Sequence, residues 1–211
     1  MAEIRSKKQL AVALGAVEGF KSAKVSVEQY NTDSEIAADV LWNCHILGDL
    51  GKVRIGEGKI ADLGAGTGIL GIGALLLGAD SVDFLESEKS ALEGLRANLG
   101  TMKLLGRSKV LDGDLSSIKG SYGMVIMNPP FGTKNKHADK AFLEKAFSLG
   151  SVVWSFHKTS TRGFVEAICR DSGFSITHTW DYKFPIPRSM EFHSKRRVDI
   201  SVTVFRMEKG L

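Results

Sequence analysis

From Lys59 to the C-terminus, short apolar runs alternate with amphipathic stretches of helical period, which restricts the chain to few architectures. The apolar runs fall at 59–63, 81–86, 108–111, 122–127, 151–156, 173–182 and 198–206, and the helical stretches at 68–78, 88–99, 139–148 and 160–171. Near-continuous apolar runs suit strands buried on both faces, and a helix between successive strands suits a parallel crossover. The pattern predicts βαβ units in a mostly parallel α/β sheet covered by helices on both faces. No helix separates the last two runs, so one of them is expected to run antiparallel.

Before Lys59 the chain reads as helical. Residues 3–20 place Ile4, Leu10, Leu14 and Val17 at helical spacing, and Thr32-Asp33-Ser34-Glu35 is a capping-box pattern that opens a second helix. The length of 211 residues fits a single domain over 1–211, with residues 1–50 as an N-terminal helical extension. No stretch approaches the roughly 18 consecutive apolar residues of a membrane span, and the first residues do not follow a signal-peptide pattern. Cys44 and Cys169 lie far apart in apolar surroundings, which points to a reducing compartment, the cytoplasm, and away from a zinc site or disulfide framework. No metal is expected. The charge is divided: residues 1–105 hold 11 Lys and Arg against 14 Asp and Glu, and residues 106–211 hold 17 against 10. The C-terminal half is therefore the side suited to a polyanionic partner.

The segment Ile60-Ala61-Asp62-Leu63-Gly64-Ala65-Gly66-Thr67-Gly68-Ile69-Leu70-Gly71 is a strand, a glycine-rich turn and a helix start. Glycines there let the backbone turn sharply and approach a ligand beside the positive end of the helix. Two templates compete. Gly66-x-Gly68-x-x-Gly71, with Glu86 following 20 residues after Gly66, fits a dinucleotide fingerprint. Asp62-x-Gly64-x-Gly66-x-Gly68 fits the loop that binds S-adenosylmethionine, where the Asp62 carboxylate favours the ammonium and sulfonium end and would repel a pyrophosphate. Glu86 closes the next strand, where a carboxylate can accept from both ribose hydroxyls; support of the following helix start is its competing role. Asp114 follows the third strand and can accept from the exocyclic amine of adenine, with Asp112 as rival and a plain turn as the alternative.

The fourth apolar run ends in Asn128-Pro129-Pro130-Phe131. Asn128 offers an amide oxygen as acceptor, Pro129 keeps a carbonyl but has no N–H, and Phe131 supplies a flat ring for stacking. Those are the requirements for holding a planar amine. A proline-rich strand terminator is the bland alternative.

Taken in order, these motifs resemble the class I methyltransferases of the amino-group type. More narrowly, the chain resembles the methyltransferase-like five family of ribosomal RNA N6-adenine methyltransferases. The matching segments are Glu28-Gln29-Tyr30-x-Thr32, Asp62 through Gly68, Val125 through Asn135, Ser155-x-His157-Lys158-x-Ser160-Thr161-Arg162, and Phe192-His193-x-Lys195 with Val198-Asp199-Ile200. The resemblance implies a Rossmann-like class I fold, a seven-stranded and mostly parallel sheet with one antiparallel strand. It implies that Gln29, Tyr30 and Thr32 fold over S-adenosylmethionine, and that Gly64, Gly66, Thr67, Gly68, Ile69, Glu86, Asp114 and Leu115 contact it beside Asp62. Asn128 borders the cofactor, and Asn128, Pro129, Pro130 and Phe131 hold the target adenine. Glu86 stands where eukaryotic members carry Asp, and Asn31 where Pro is commoner.

For RNA, the expected contacts are Lys134 and Lys136 beside the tetrapeptide, then His157, Lys158 and Arg162 after the fifth strand. A structural histidine is the competing role for His157. A basic hairpin of His193, Lys195, Arg196 and Arg197 is expected to grip phosphates. The resemblance also suggests a small zinc-binding activator protein as partner, pairing along the third strand at the sheet edge. The competing activities are N5-methylation of glutamine in a protein, which uses a related Asn-Pro-Pro motif, methylation of another nucleic-acid amine, and nicotinamide-dependent hydride transfer.

Overall fold

The computed structural model describes residues 3–19, 32–50, 59–130, 138–186 and 198–210. In chain order its elements are α1 Lys7–Leu14, α2 Ser34–Ile46, β1 Lys59–Leu63, α3 Ile69–Leu76, β2 Ser81–Glu86, α4 Lys89–Thr101, β3 Ser108–Asp112 and β4 Tyr122–Met127. They continue with α5 Ala138–Leu149, β5 Gly150–Lys158, α6 Arg162–Asp171, β6 Phe174–Ile186 and β7 Val198–Lys209. The strands form one seven-stranded sheet in the order β3-β2-β1-β4-β5-β7-β6. Pairings through β5 are parallel, while β7 runs antiparallel to both β5 and β6. The expected architecture is borne out, with β3 at one edge and β6 at the other.

Alternation along each strand divides the core in two. Ile60, Phe84, Met124, Ile126 and Trp154 face a cluster with α1, α2 and α3, whereas Ala61, Leu85, Val125, Met127 and Val153 face one with α5 and α6. A buried ion pair ties the end of α2 to the far half of the sheet. The Asp49 carboxylate accepts from Arg206 Nε at 2.7 Å, Arg206 Nη2 at 2.9 Å and the Trp154 indole N–H at 2.8 Å. Arg206 in turn donates to Thr177 and Glu208.

Two local expectations need correction. The first helix is shorter than 3–20, because Ser6 caps its start and the chain turns at Gly15. The capping box is displaced by one residue: Asp33, not Thr32, caps α2, accepting from the N–H groups of Glu35 and Ile36. A carboxylate one position nearer the helix takes those donors, and the Thr32 hydroxyl is used elsewhere.

Candidate active site

In a sheet of this topology a ligand crevice opens beyond the carboxyl ends of the strands, where the order reverses beside β1. Each signalled motif arrives there on its own strand. After β1 the turn has left-handed backbone at Gly64, Gly66 and Gly68, with φ of 68°, 58° and 95°. At Gly68 an added Cβ would also lie 2.4 Å from Leu95 Cδ1, so the position needs glycine for both angle and space. Gly64 and Ala65 donate to the Leu85 carbonyl, tying the turn to β2.

Beneath the turn, Asp62 is 1% exposed and accepts from Gly71 N–H at 2.8 Å. Burial pushes its carboxyl up to about 7, the negative Glu86 adds to the rise, and the Gly71 bond partly opposes it. Asp62 thus meets the crevice from below as a buried acid that a nearby cation would help to ionise, rather than as an open ligand surface. Glu86 joins the two roles weighed for it: one oxygen accepts from Gly66 N–H at 2.8 Å, the other from Ser87 and Glu88 N–H at the helix start. Three bonds leave a carboxylate of about four acceptor sites with capacity for a hydroxyl. Glu88 itself caps α4. Beyond β3, Asp114 is exposed and held by the Ser116 hydroxyl and N–H, which lower its pKa. Leu115 packs against the second core cluster.

At the end of β4, Asn128 donates from Nδ2 to the Thr32 hydroxyl at 3.0 Å. Its Oδ1 is buried without a hydrogen-bond partner, the sole such side-chain nitrogen or oxygen among the described residues. Leaving an acceptor buried and unmatched costs about 1–3 kcal/mol, so the position calls for a donor beyond the described residues. Pro129 is buried and Pro130 exposed. Thr32, Thr67 and Ile69 line a cleft of about 190 Å³ with Leu14, Gly15, Val17, Gly19 and Ser34. A half-buried glycine turn, a strand-end carboxylate and a buried acid fit the nucleoside and ammonium of S-adenosylmethionine. A pyrophosphate would face two acidic groups.

The candidate RNA contacts divide. His157 is corrected: it is 1% exposed, hydrogen-bonded through Nε2 to Ser155 Oγ at 2.7 Å, and edge-on to the Phe205 ring. Burial lowers its pKa to about 4, so it is a neutral core histidine that cannot reach a phosphate. Lys158 ends β5, and Arg162 lies over the Phe205 ring with Asp181 at 3.3 Å. Gln29, Tyr30, Phe131, Lys134, Lys136, His193, Lys195, Arg196 and Arg197 lie outside the described residues.

The sequence reading missed Asn98. Its side chain is buried in α4 and bonds the backbone of both Glu18 and Thr67. The available signal was an Asn set among Leu92, Leu95 and Leu99 on the apolar stripe of a helix.

A parallel sheet closed by one antiparallel strand, with a glycine turn after β1 and a carboxylate ending β2, defines a class I methyltransferase fold. The methyltransferase small domain family matches residues 46–149. The chain is 37% identical to the rRNA N(6)-adenosine-methyltransferase METTL5 of Danio rerio, over 94% of this chain and 97% of that one. It is 36% identical to the Drosophila melanogaster protein of the same name, over 100% and 99%. The crystal structure of a proposed RNA methyltransferase from Pyrococcus horikoshii superimposes with a TM-score of 0.86 at 44% identity, covering 99% of this chain and all of that one. The chain belongs to the METTL5 family of methyltransferases.

Proposed function

We propose that this protein methylates the exocyclic N6 of adenine in RNA, with small-subunit ribosomal RNA as the substrate. The single observation that carries the reading is the buried, unpartnered Oδ1 of Asn128. Bound in the crevice, S-adenosylmethionine supplies the methyl group as a sulfonium electrophile. Asn128 Oδ1 accepts one N–H of the adenine amine, and the Pro129 carbonyl accepts the other. Drawn toward tetrahedral geometry, the amine nitrogen recovers the lone pair it shares with the ring. Asn128 carries no charge and is not a base: as the N–C bond forms and the S–C bond breaks to leave a neutral thioether, the surplus amine proton would pass to water, so this chain contributes position and preorganised dipoles. Phe131 stacks the base once it has left its own helix or loop. Thr32, Glu86 and Asp114 hold the cofactor, and Lys158, Arg162 and the basic residues after Phe192 meet the RNA backbone. The names of the relatives and the basic C-terminal half support RNA as the acceptor.

A zinc-binding activator protein is proposed to add a strand to β3. In support, β3 pairs within the described residues only with β2, and Leu105 just before it is 58% exposed. The cytoplasm is the proposed compartment, consistent with two free, buried cysteines.

The test is Asn128→Ala with radiolabelled methyl transfer to RNA and to protein, and calorimetry for the cofactor. Loss of one preorganised group is expected to lower kcat by about 10²–10³, with cofactor affinity held within a few-fold. Equal loss of transfer and cofactor binding, or transfer to protein alone, refutes the reading.

A further inference from the structure

α4 turns Leu92, Leu95 and Leu99 inward, and Asn98 shares that buried surface at 5% exposure. A polar side chain so placed is tolerated only when its hydrogen bonds are made. Asn98 makes three. Its Oδ1 accepts from Glu18 N–H at 3.0 Å, while its Nδ2 donates to the Glu18 carbonyl at 3.0 Å and to the Thr67 carbonyl at 2.9 Å. The first two grip residue 18 by its backbone, whatever side chain it carries. The third holds the middle of the glycine turn.

The two gripped positions border one cleft. Val17 and Gly19, either side of residue 18, line the cleft of about 190 Å³, and Thr67 with Ile69 lines it from the turn. Asn98 does not line it. Its partner Thr67 is further confined from α4, where a Cβ added at Gly94 would meet Thr67 Cγ2 at 3.2 Å.

We propose that Asn98 is a positioning residue for the cofactor: by joining residue 18 to Thr67 it fixes two parts of the cleft lining against each other before S-adenosylmethionine arrives. A wall already held in place need not be ordered on binding, so the clamp acts on cofactor affinity. It leaves the methyl-transfer step to Asn128 and the residues that follow it. This role holds for any methyl acceptor, and its failure therefore leaves the adenine assignment standing.

The experiment is calorimetric titration of the full chain with S-adenosylmethionine, without RNA, alongside thermal melting and steady-state kinetics. Asn98→Ala is expected to raise Kd for S-adenosylmethionine about tenfold, with kcat at saturating cofactor within about twofold, so that KM for the cofactor carries the loss. Asn98→Asp keeps the size but sets an oxygen against two carbonyls, and is expected to follow the alanine variant. Glu18→Pro removes one donor without touching α4; it is expected to raise Kd by about threefold or more, and decides the matter if the Asn98 variants do not fold. An Asn98→Ala protein that melts earlier yet binds cofactor within about twofold of wild type overturns the proposal. So does a folded Glu18→Pro protein of unchanged affinity.

Discussion

Replacing Asp62 by Asn should remove a loss of stability that wild type suffers as pH rises through a defined window. In the folded chain Asp62 is fully buried and keeps its proton up to about pH 7, against an ordinary value of 3.8. Burial is the main cause, with the negative Glu86 adding to it and the Gly71 bond opposing both. Between those two values the folded state binds the proton that the unfolded state has released, so the contribution of this group to stability falls as pH rises. Each pH unit of that window is worth about 1.4 kcal/mol, so the span from pH 5 to the folded value near 7 amounts to about 2–3 kcal/mol. An asparagine can accept the same Gly71 N–H at 2.8 Å and carries no charge. Any cost of fitting the amide is the same at both pH values and cancels in the comparison. Urea unfolding of both proteins at pH 5 and pH 8, without cofactor, should show Asp62→Asn gaining about 2–3 kcal/mol on wild type between the two. Saturating S-adenosylmethionine should shrink that gain, because its ammonium favours the ionised acid in wild type. A stability difference that is equal at pH 5 and pH 8 would refute the argument.

Three further outcomes follow from packing and charge. Gly71→Ala places a Cβ 2.3 Å from Phe84 Cε1, in a ring with no exposure, and 3.0 Å from Asp62 Oδ2. It should cost about 2 kcal/mol and lower Tm by about 4–8 °C in a thermal melt. Asp49→Ala leaves the Arg206 guanidinium, 8% exposed, without its bidentate partner and should cost about 3–5 kcal/mol by urea unfolding. Changing Lys195, Arg196 and Arg197 together to Ala should weaken RNA binding and reduce the slope of log K against log salt by up to about 2–3, with cofactor affinity unchanged. An unaltered salt slope would remove that segment from the RNA surface.

Features whose cause lies in near neighbours were legible in the linear chain. The strands announce themselves by apolar runs, the turn after β1 by glycines at the three left-handed positions, and the antiparallel β7 by the missing helix before it. The position of Asn128 was legible too, because a strand that stops at Asn-Pro-Pro leaves the amide at the carboxyl end of the sheet. Features decided by distant partners were not. The capping box failed because Asp33 and Thr32 compete for one helix start, and Asn128, 96 residues away, engages the Thr32 hydroxyl while the Asp33 carboxylate takes the helix donors. His157 looked equally suited to solvent or core until β7 brought Phe205 against it.

The chain by itself determined which chemical groups exist and on which strand each arrives. Local conformation follows from period, turn residues and the bond geometry of glycine and proline. The tertiary structure alone decided which of those groups remain unmatched. Asp49 and Arg206 meet across 157 residues and neutralise one another, Asn98 spends its side-chain polar atoms joining Glu18 to Thr67, and Asn128 keeps one buried oxygen with no donor among the described residues. Satisfaction of a polar atom is a property of its whole surroundings, and those surroundings are assembled only when the sheet forms.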